Sequence, residues 1–182
     1  MSIIIHEIHD LENRYVTDLL VKGLSESTST IYNPNYSDKL GNIFFILDQR
    51  RFAEGRGTYY VMEKNGEMIC STGWNEYDLD PTIALGFTRL YVPEKHRRNF
   101  YASQYLTDKI LDATQDYDKL WLAHGQDSLH LYDRYVYFHE HGKNKHESYS
   151  NFYSRFKPIG ELEIYYTKQW VVEYIKPDEN NT

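Results

Sequence analysis

Cysteine is what this sequence has least of. One residue, Cys70, stands in a chain of 182, so an internal disulfide framework is excluded and the usage fits a reducing compartment. Its setting, Met68-Ile69-Cys70, points to a buried structural thiol rather than a nucleophile. Positive charge is also short: 20 Lys and Arg against 27 Asp and Glu leave a formal net charge of −7. A broad nucleic-acid footprint needs a basic face, so that class is disfavoured, whereas a cationic substrate suits the balance. No run approaches the ~18 consecutive apolar residues that span a bilayer. The start, Met1-Ser2-Ile3-Ile4-Ile5-His6, lacks the basic region and apolar core of a signal peptide. A cytoplasmic chain without a membrane partner is expected. Missing too are a Gly-x-Ser-x-Gly elbow, a Walker loop and a His-Glu-x-x-His pair.

What is present is enough apolar material, 41% of residues, for one domain with a sizeable core. The expected domain covers residues 1–176, with 177–182 as a frayed tail. Eighteen tyrosines supply rings that bury their bodies and keep their hydroxyls wet. Residues 3–8 suit a short strand. Asp10 then caps a helix carrying Leu11, Tyr15, Val16, Leu19 and Leu20 on adjoining stripes. The polar run 25–36 reads as a loop, and Ser37 caps a second helix in which Leu40, Ile43, Phe44 and Leu47 share a face.

Two β-rich runs, 59–63 and 67–75, meet at Asn65-Gly66, the strongest short hairpin signal. A loop through Asp78-Leu79-Asp80-Pro81 leads to a third run, 83–92. Beyond it Ala102, Tyr105, Leu106, Ile110 and Ala113 recur at helical spacing. Residues 119–123 form a short strand, and Asp127 or Ser128 caps a helix to about Tyr135. The stretch 139–149 reads as a loop, and 161–166 with 170–175 as a closing hairpin whose edge offers a homodimer contact. The order is α+β.

The segment from Leu90 to Leu106, LYVPEKHRRNFYASQYL, reads as a strand, a basic loop and a helix start. Such an order gathers backbone dipoles and cations around one point and suits a phosphate-bearing ligand. It resembles the acyl-CoA-binding segment of the GCN5-related N-acetyltransferase (GNAT) family, Arg/Gln-x-x-Gly-x-Gly/Ala. In the frame Arg97-Arg98-Asn99-Phe100-Tyr101-Ala102, Arg97 and Ala102 match while Phe100 replaces a glycine. Further on, Leu131-Tyr132-Asp133-Arg134-Tyr135-Val136-Tyr137-Phe138 resembles the family's Leu-Tyr-x-x-x-Gly-Phe, without its glycine. The element order is similar over most of the chain; the motifs cover about residues 83–138.

The resemblance implies an α+β fold with a mixed, mainly antiparallel central sheet flanked by helices. It implies an acyl-CoA-dependent N-acyltransferase, with acetyl-CoA or another acyl-CoA as co-substrate and an amine-bearing acceptor, small molecule or protein. Backbone groups of Leu90, Tyr91 and Val92 would meet the pantetheine arm. Arg97, Arg98, Asn99, Phe100, Tyr101 and Ala102 would hold the pyrophosphate. Tyr132 would protonate the leaving thiolate, a role a phenol of pKa ~10 can fill. The family fixes no single base. His124, after the strand 119–123, is one candidate, and Glu76 and Tyr77 are its rivals. No metal is implied, and His139-x-His141 with Glu140, His146 and Glu147 matches no strong zinc spacing. The other reading keeps the fold without catalysis, as an inactive binding or inhibitory protein.

Overall fold

The computed structural model describes residues 2–8, 13–27, 46–142 and 150–177. Its strands are β1 Ile4–Ile8, β2 Gly57–Lys64, β3 Glu67–Tyr77, β4 Asp80–Tyr91, β5 Lys119–His124, β6 Phe156–Ile164 and β7 Thr167–Tyr174. They form one sheet in the order β1-β2-β3-β4-β5-β7-β6. β4 runs parallel to β5, while β1 with β2, β2 with β3, β5 with β7 and β6 with β7 are antiparallel. The helices are α1 Arg14–Leu24, α2 Ile46–Ala53, α3 Tyr101–Tyr105, α4 Thr107–Ala113, α5 Leu129–His141 and α6 Ser150–Tyr153. The expected α+β class with a mixed, mainly antiparallel sheet is what the chain adopts. Among the described residues no helix is long and apolar enough to cross a membrane.

Two compact units make up the fold: Met1–Glu76 with Phe87–Ala113, and Tyr77–Gly86 with Thr114–Thr182. In the first, Asn65-Gly66 closes the β2–β3 hairpin with φ of 56° and 77°, the pair of positive values that a type I′ turn demands. Asn13 caps α1, its side chain accepting from the Val16 N–H at 3.3 Å. The helix's buried stripe of Val16, Leu19, Leu20 and Leu24 packs with Ile8, Phe52, Tyr59, Val61, Met68 and Tyr91. Full burial of one such leucine contributes roughly 1.5–3 kcal/mol.

In the second unit, residues alternate across β5. Trp121 and Ala123 pack against a cluster of Tyr77, Ile83, Leu85, Ile164 and Val171. On α5, Tyr135 and Phe138 are buried, and the Tyr135 ring meets those of Tyr153 and Phe156. Three expectations are corrected here. Helix α5 runs on to His141, so residues 139–141 are helical rather than looped. Asp80 and Pro81 open β4 instead of sitting in a loop. The 102–113 helix is broken at Leu106, where α3 ends. The Asp10 cap, Leu11, residues 28–36, Ser37 with Leu40, Ile43 and Phe44, His146, Glu147 and the tail from 178 lie outside the described residues.

Candidate active site

Towards its end β4 departs from regular strand geometry. Phe87 and Arg89 both have φ of 51°, a region costly for residues with a Cβ. Side-chain hydroxyls from β3 and β2 bond the carbonyls there. Thr72 Oγ1 donates to the Thr88 carbonyl at 3.0 Å, and Tyr59 Oη to that of Arg89 at 3.2 Å. Strain of this kind persists only where the surroundings enforce it, and it clusters at functional sites.

After Tyr91, Pro93 precedes a short 3₁₀ turn, Glu94–His96. Arg97 is extended at φ −64°, ψ 155°, and its Nε–H donates to the Val92 carbonyl at 3.1 Å. Asn99 Nδ2 donates to the His96 carbonyl at 3.1 Å. Arg98 (φ 68°) and Phe100 (φ 54°) are both left-handed. Phe100 is also the N-cap position of α3. At the position where the resembling motif carries glycine, this phenylalanine adopts the backbone conformation for which glycine is normally required. Ala102 is buried, whereas Arg97, Arg98 and Asn99 are exposed. Two side-chain-bearing residues in the left-handed region thus punctuate this basic loop. Its exposed cations, Arg97 and Arg98, are the groups there with the chemistry to bond a phosphate.

The candidate catalytic residues divide between the units. Glu76 belongs to the first. Its N–H donates to the Arg56 carbonyl at 2.8 Å, and its carboxylate pairs with the Arg56 guanidinium at 3.4 Å. His124 and Tyr132 belong to the second. His124 lies at the end of β5, its Nδ1 3.2 Å from the Trp170 carbonyl. A carbonyl only accepts, so Nδ1 carries the proton and Nε2 is a neutral acceptor. Burial pushes its pKa down to about 4, with His130 adding to the shift and the Trp170 bond opposing it. Tyr132 is partly buried on α5. Burial and then Asp133 push its phenol above the ordinary value, while the Gly160 backbone amide opposes them; the group stays a protonated donor at neutral pH. The His124 ring touches Tyr135 rather than Tyr132, at 5.4 Å between centroids. Tyr77 packs edge-on to Tyr165 at 5.0 Å, a packing role.

Burial pushes the Cys70 thiol up to about 12, which leaves it inert. His141 Nδ1–H donates to the Tyr137 carbonyl at 2.9 Å, and among the described residues no group of three ligating side chains is placed to hold a metal ion.

No protein-family model and no curated protein matches the sequence. Solved structures do match the fold. A GNAT-family acetyltransferase from Staphylococcus aureus Mu50 superposes with a TM-score of 0.54 at 15% identity, covering 95% of this chain and 98% of that one. The PaiA N-acetyltransferase of Thermoplasma acidophilum, solved with coenzyme A, gives 0.56 at 11% identity, covering 97% and 100%. A GNAT-family acetyltransferase of Streptococcus pneumoniae gives 0.57 at 11% identity, covering 96% and 100%. This chain has the fold of the GCN5-related N-acetyltransferases, shared with solved structures at low sequence identity.

Proposed function

We propose that the protein is an acyl-CoA-dependent N-acyltransferase, most simply one that transfers acetyl to an amine by direct attack. The observation that carries the reading is the backbone of Phe100. Its left-handed φ of 54° supplies the turn expected of glycine in the pyrophosphate loop, so loss of the glycine does not mean loss of the loop. The resemblance of residues 97–102 and 131–138 to the family motifs supports the same conclusion, as does a structural relative solved with coenzyme A.

In this reading the 97–102 loop receives the pyrophosphate and backbone groups of residues 90–92 meet the pantetheine arm. The amine lone pair attacks the thioester carbonyl, the C–S bond breaks, and Tyr132 gives its proton to the departing sulfur. Much of the rate comes from holding two substrates in register. A His124 with a pKa of about 4 is a feeble proton acceptor at pH 7, and Glu76 is engaged with Arg56. The amine proton therefore leaves to water.

Calorimetric titration with acetyl-CoA tests this. Saturable binding by the parent, weakened about tenfold in Arg98→Ala through loss of a charge-assisted contact, is the expected result. Binding by Phe100→Gly but not by the parent would favour the inactive-protein reading, with the phenyl ring closing the site. No binding by either would sink the enzyme. Given an accepted amine, Tyr132→Phe should lower kcat about 100-fold with little change in KM.

A further inference from the structure

The β2–β3 hairpin grips the arginine loop from both ends. Glu67, the first residue of β3, accepts from Lys95 Nζ at 2.6 Å, and the same oxygen lies 3.7 Å from His96 Nε2. Lys64, the last residue of β2, holds its ammonium 5.8 Å from the centre of the Tyr101 ring. Lys95 and His96 stand at the entrance of the loop, and Tyr101 is the first residue of α3. Between the two grips lie Arg97, Arg98, Asn99 and Phe100, including both left-handed residues. Lys64 and Glu67 face each other across the Asn65-Gly66 turn, so the spacing of the grips is set by one of the stiffest short connections a chain can make.

We propose that Glu67 and Lys64 are positioning residues that hold residues 97–100 in their phosphate-receiving shape; this rests on the acyl-CoA reading above. A loop with two side-chain-bearing residues in the left-handed region relaxes when its ends are released. Bracing therefore preserves a conformation that the loop's own sequence disfavours. Glu67 contributes nothing attractive to an anion. Its value lies in what it holds.

That makes the sign of the test decisive. If Glu67 were only a surface carboxylate, Glu67→Ala would remove repulsion, release Lys95 and tighten coenzyme A binding. If Glu67 positions the loop, the same change loosens it and weakens binding. The pair is exposed, so the loss is modest, about three- to fivefold in Kd.

The experiment pairs calorimetric titration of the full chain with coenzyme A and limited trypsin digestion of the ligand-free protein, for the parent and Glu67→Ala. Weaker binding, faster cleavage after Arg97 and Arg98, and an unchanged thermal midpoint are expected. The midpoint separates a loosened loop from a damaged fold. Tighter or unchanged binding, or unchanged cleavage, would overturn the inference. A parent that fails to bind coenzyme A overturns the acyl-CoA reading and the phosphate role with it. The digestion needs no coenzyme A, so it tells that failure apart from failure of the brace.

Discussion

The β2–β3 and β6–β7 hairpins are built to one plan with different chemistry. Each closes with a two-residue turn in which both φ values are positive: 56° and 77° at Asn65-Gly66, 48° and 67° at Tyr165-Tyr166. Each also has a neighbouring strand that brings a histidine against it. His6 on β1 donates Nε2–H to Glu63 Oε2 at 2.7 Å, while Tyr15 donates to the other carboxylate oxygen at 2.8 Å. His124 on β5 reaches only a backbone carbonyl, that of its strand partner Trp170. An aromatic ring leans on each imidazole, Tyr15 at 6.1 Å and Tyr135 at 5.4 Å. The first hairpin has the residues its geometry asks for and gives its histidine an acid. The second has neither, and its geometry is enforced from outside. Backbone shape is thus a weaker guide to side-chain chemistry than the surroundings that hold it.

The largest consequence concerns acid. With a folded pKa of about 4 against an ordinary value near 6.5, His124 refuses a proton that the unfolded chain accepts. Its contribution is intact above pH 6.5 and is lost as the pH falls towards 4, amounting to about 3 kcal/mol across that window. Urea unfolding of the parent at pH 7 and pH 4.5 should show the decline. His124→Gln, which keeps a donor for Trp170, should flatten it. An equal decline in both proteins would mean that other groups carry the acid sensitivity.

Glu63 should lose its contribution in the same direction but in a lower window. His6 first, and Tyr15 next, hold its carboxyl below the ordinary range. Its contribution is present above the ordinary carboxylate pKa and disappears only as the pH falls through the lowered value, beneath the range where His124 acts. Removing the carboxylate at neutral pH strands a histidine and a phenol, so Glu63→Ala should destabilise by about 2 kcal/mol. Glu63→Gln, which can still accept one bond, should cost about half that. Equal losses for the two substitutions would show that the side chain's volume matters rather than its hydrogen bonds.

The same contrast governs what could be read from the sequence. Asn65-Gly66 announces its turn, because an amide side chain and a missing Cβ both relieve positive φ. Tyr165 and Tyr166 do not. Tyrosine prefers strands, and the closing strand was accordingly expected to run through 166. The override is tertiary: the Tyr165 hydroxyl accepts from the Asp78 N–H at 3.3 Å and its ring packs on Tyr77, 87 residues away in the chain for Asp78. The loop frame around Arg97 and Ala102 was legible from spacing, but the left-handed turn at Phe100 was not, since nothing in a phenylalanine requests it. The left-handed backbone at Phe87 and Arg89 was silent for the same reason. Glu63 and Glu67 escaped notice because their partners lie 57, 48 and 28 residues distant, where local pattern carries no information.

Gly66→Ala tests the favourable turn. A methyl there meets nothing within 4 Å, so its effect isolates backbone strain at φ 77°, a loss of about 1 kcal/mol. A drop in the urea midpoint with an unchanged slope is the expected reading. A loss several times larger would mean that the altered turn disturbs the pairing of β2 with β3 as well.

Tyr166→Gly is the smallest change and has the opposite sign. Tyr166 is 82% exposed, so its removal forfeits little burial, while glycine at φ 67° relieves a strain of roughly 1–2 kcal/mol. Against this stands the extra freedom that glycine gives the unfolded chain, roughly 0.5–1 kcal/mol. The balance is a stabilisation of about 0.5 kcal/mol, visible as a thermal midpoint one or two degrees higher, or slightly more. Tyr165→Asn, placed one residue earlier in the same turn, relieves similar strain but gives up the contact with Tyr77, and should destabilise. Opposite signs at adjacent positions would show that Tyr165 is the anchor that imposes the turn and Tyr166 the residue that bears it. Equal signs would shift the cause of the turn from that aromatic anchor to the strands on either side.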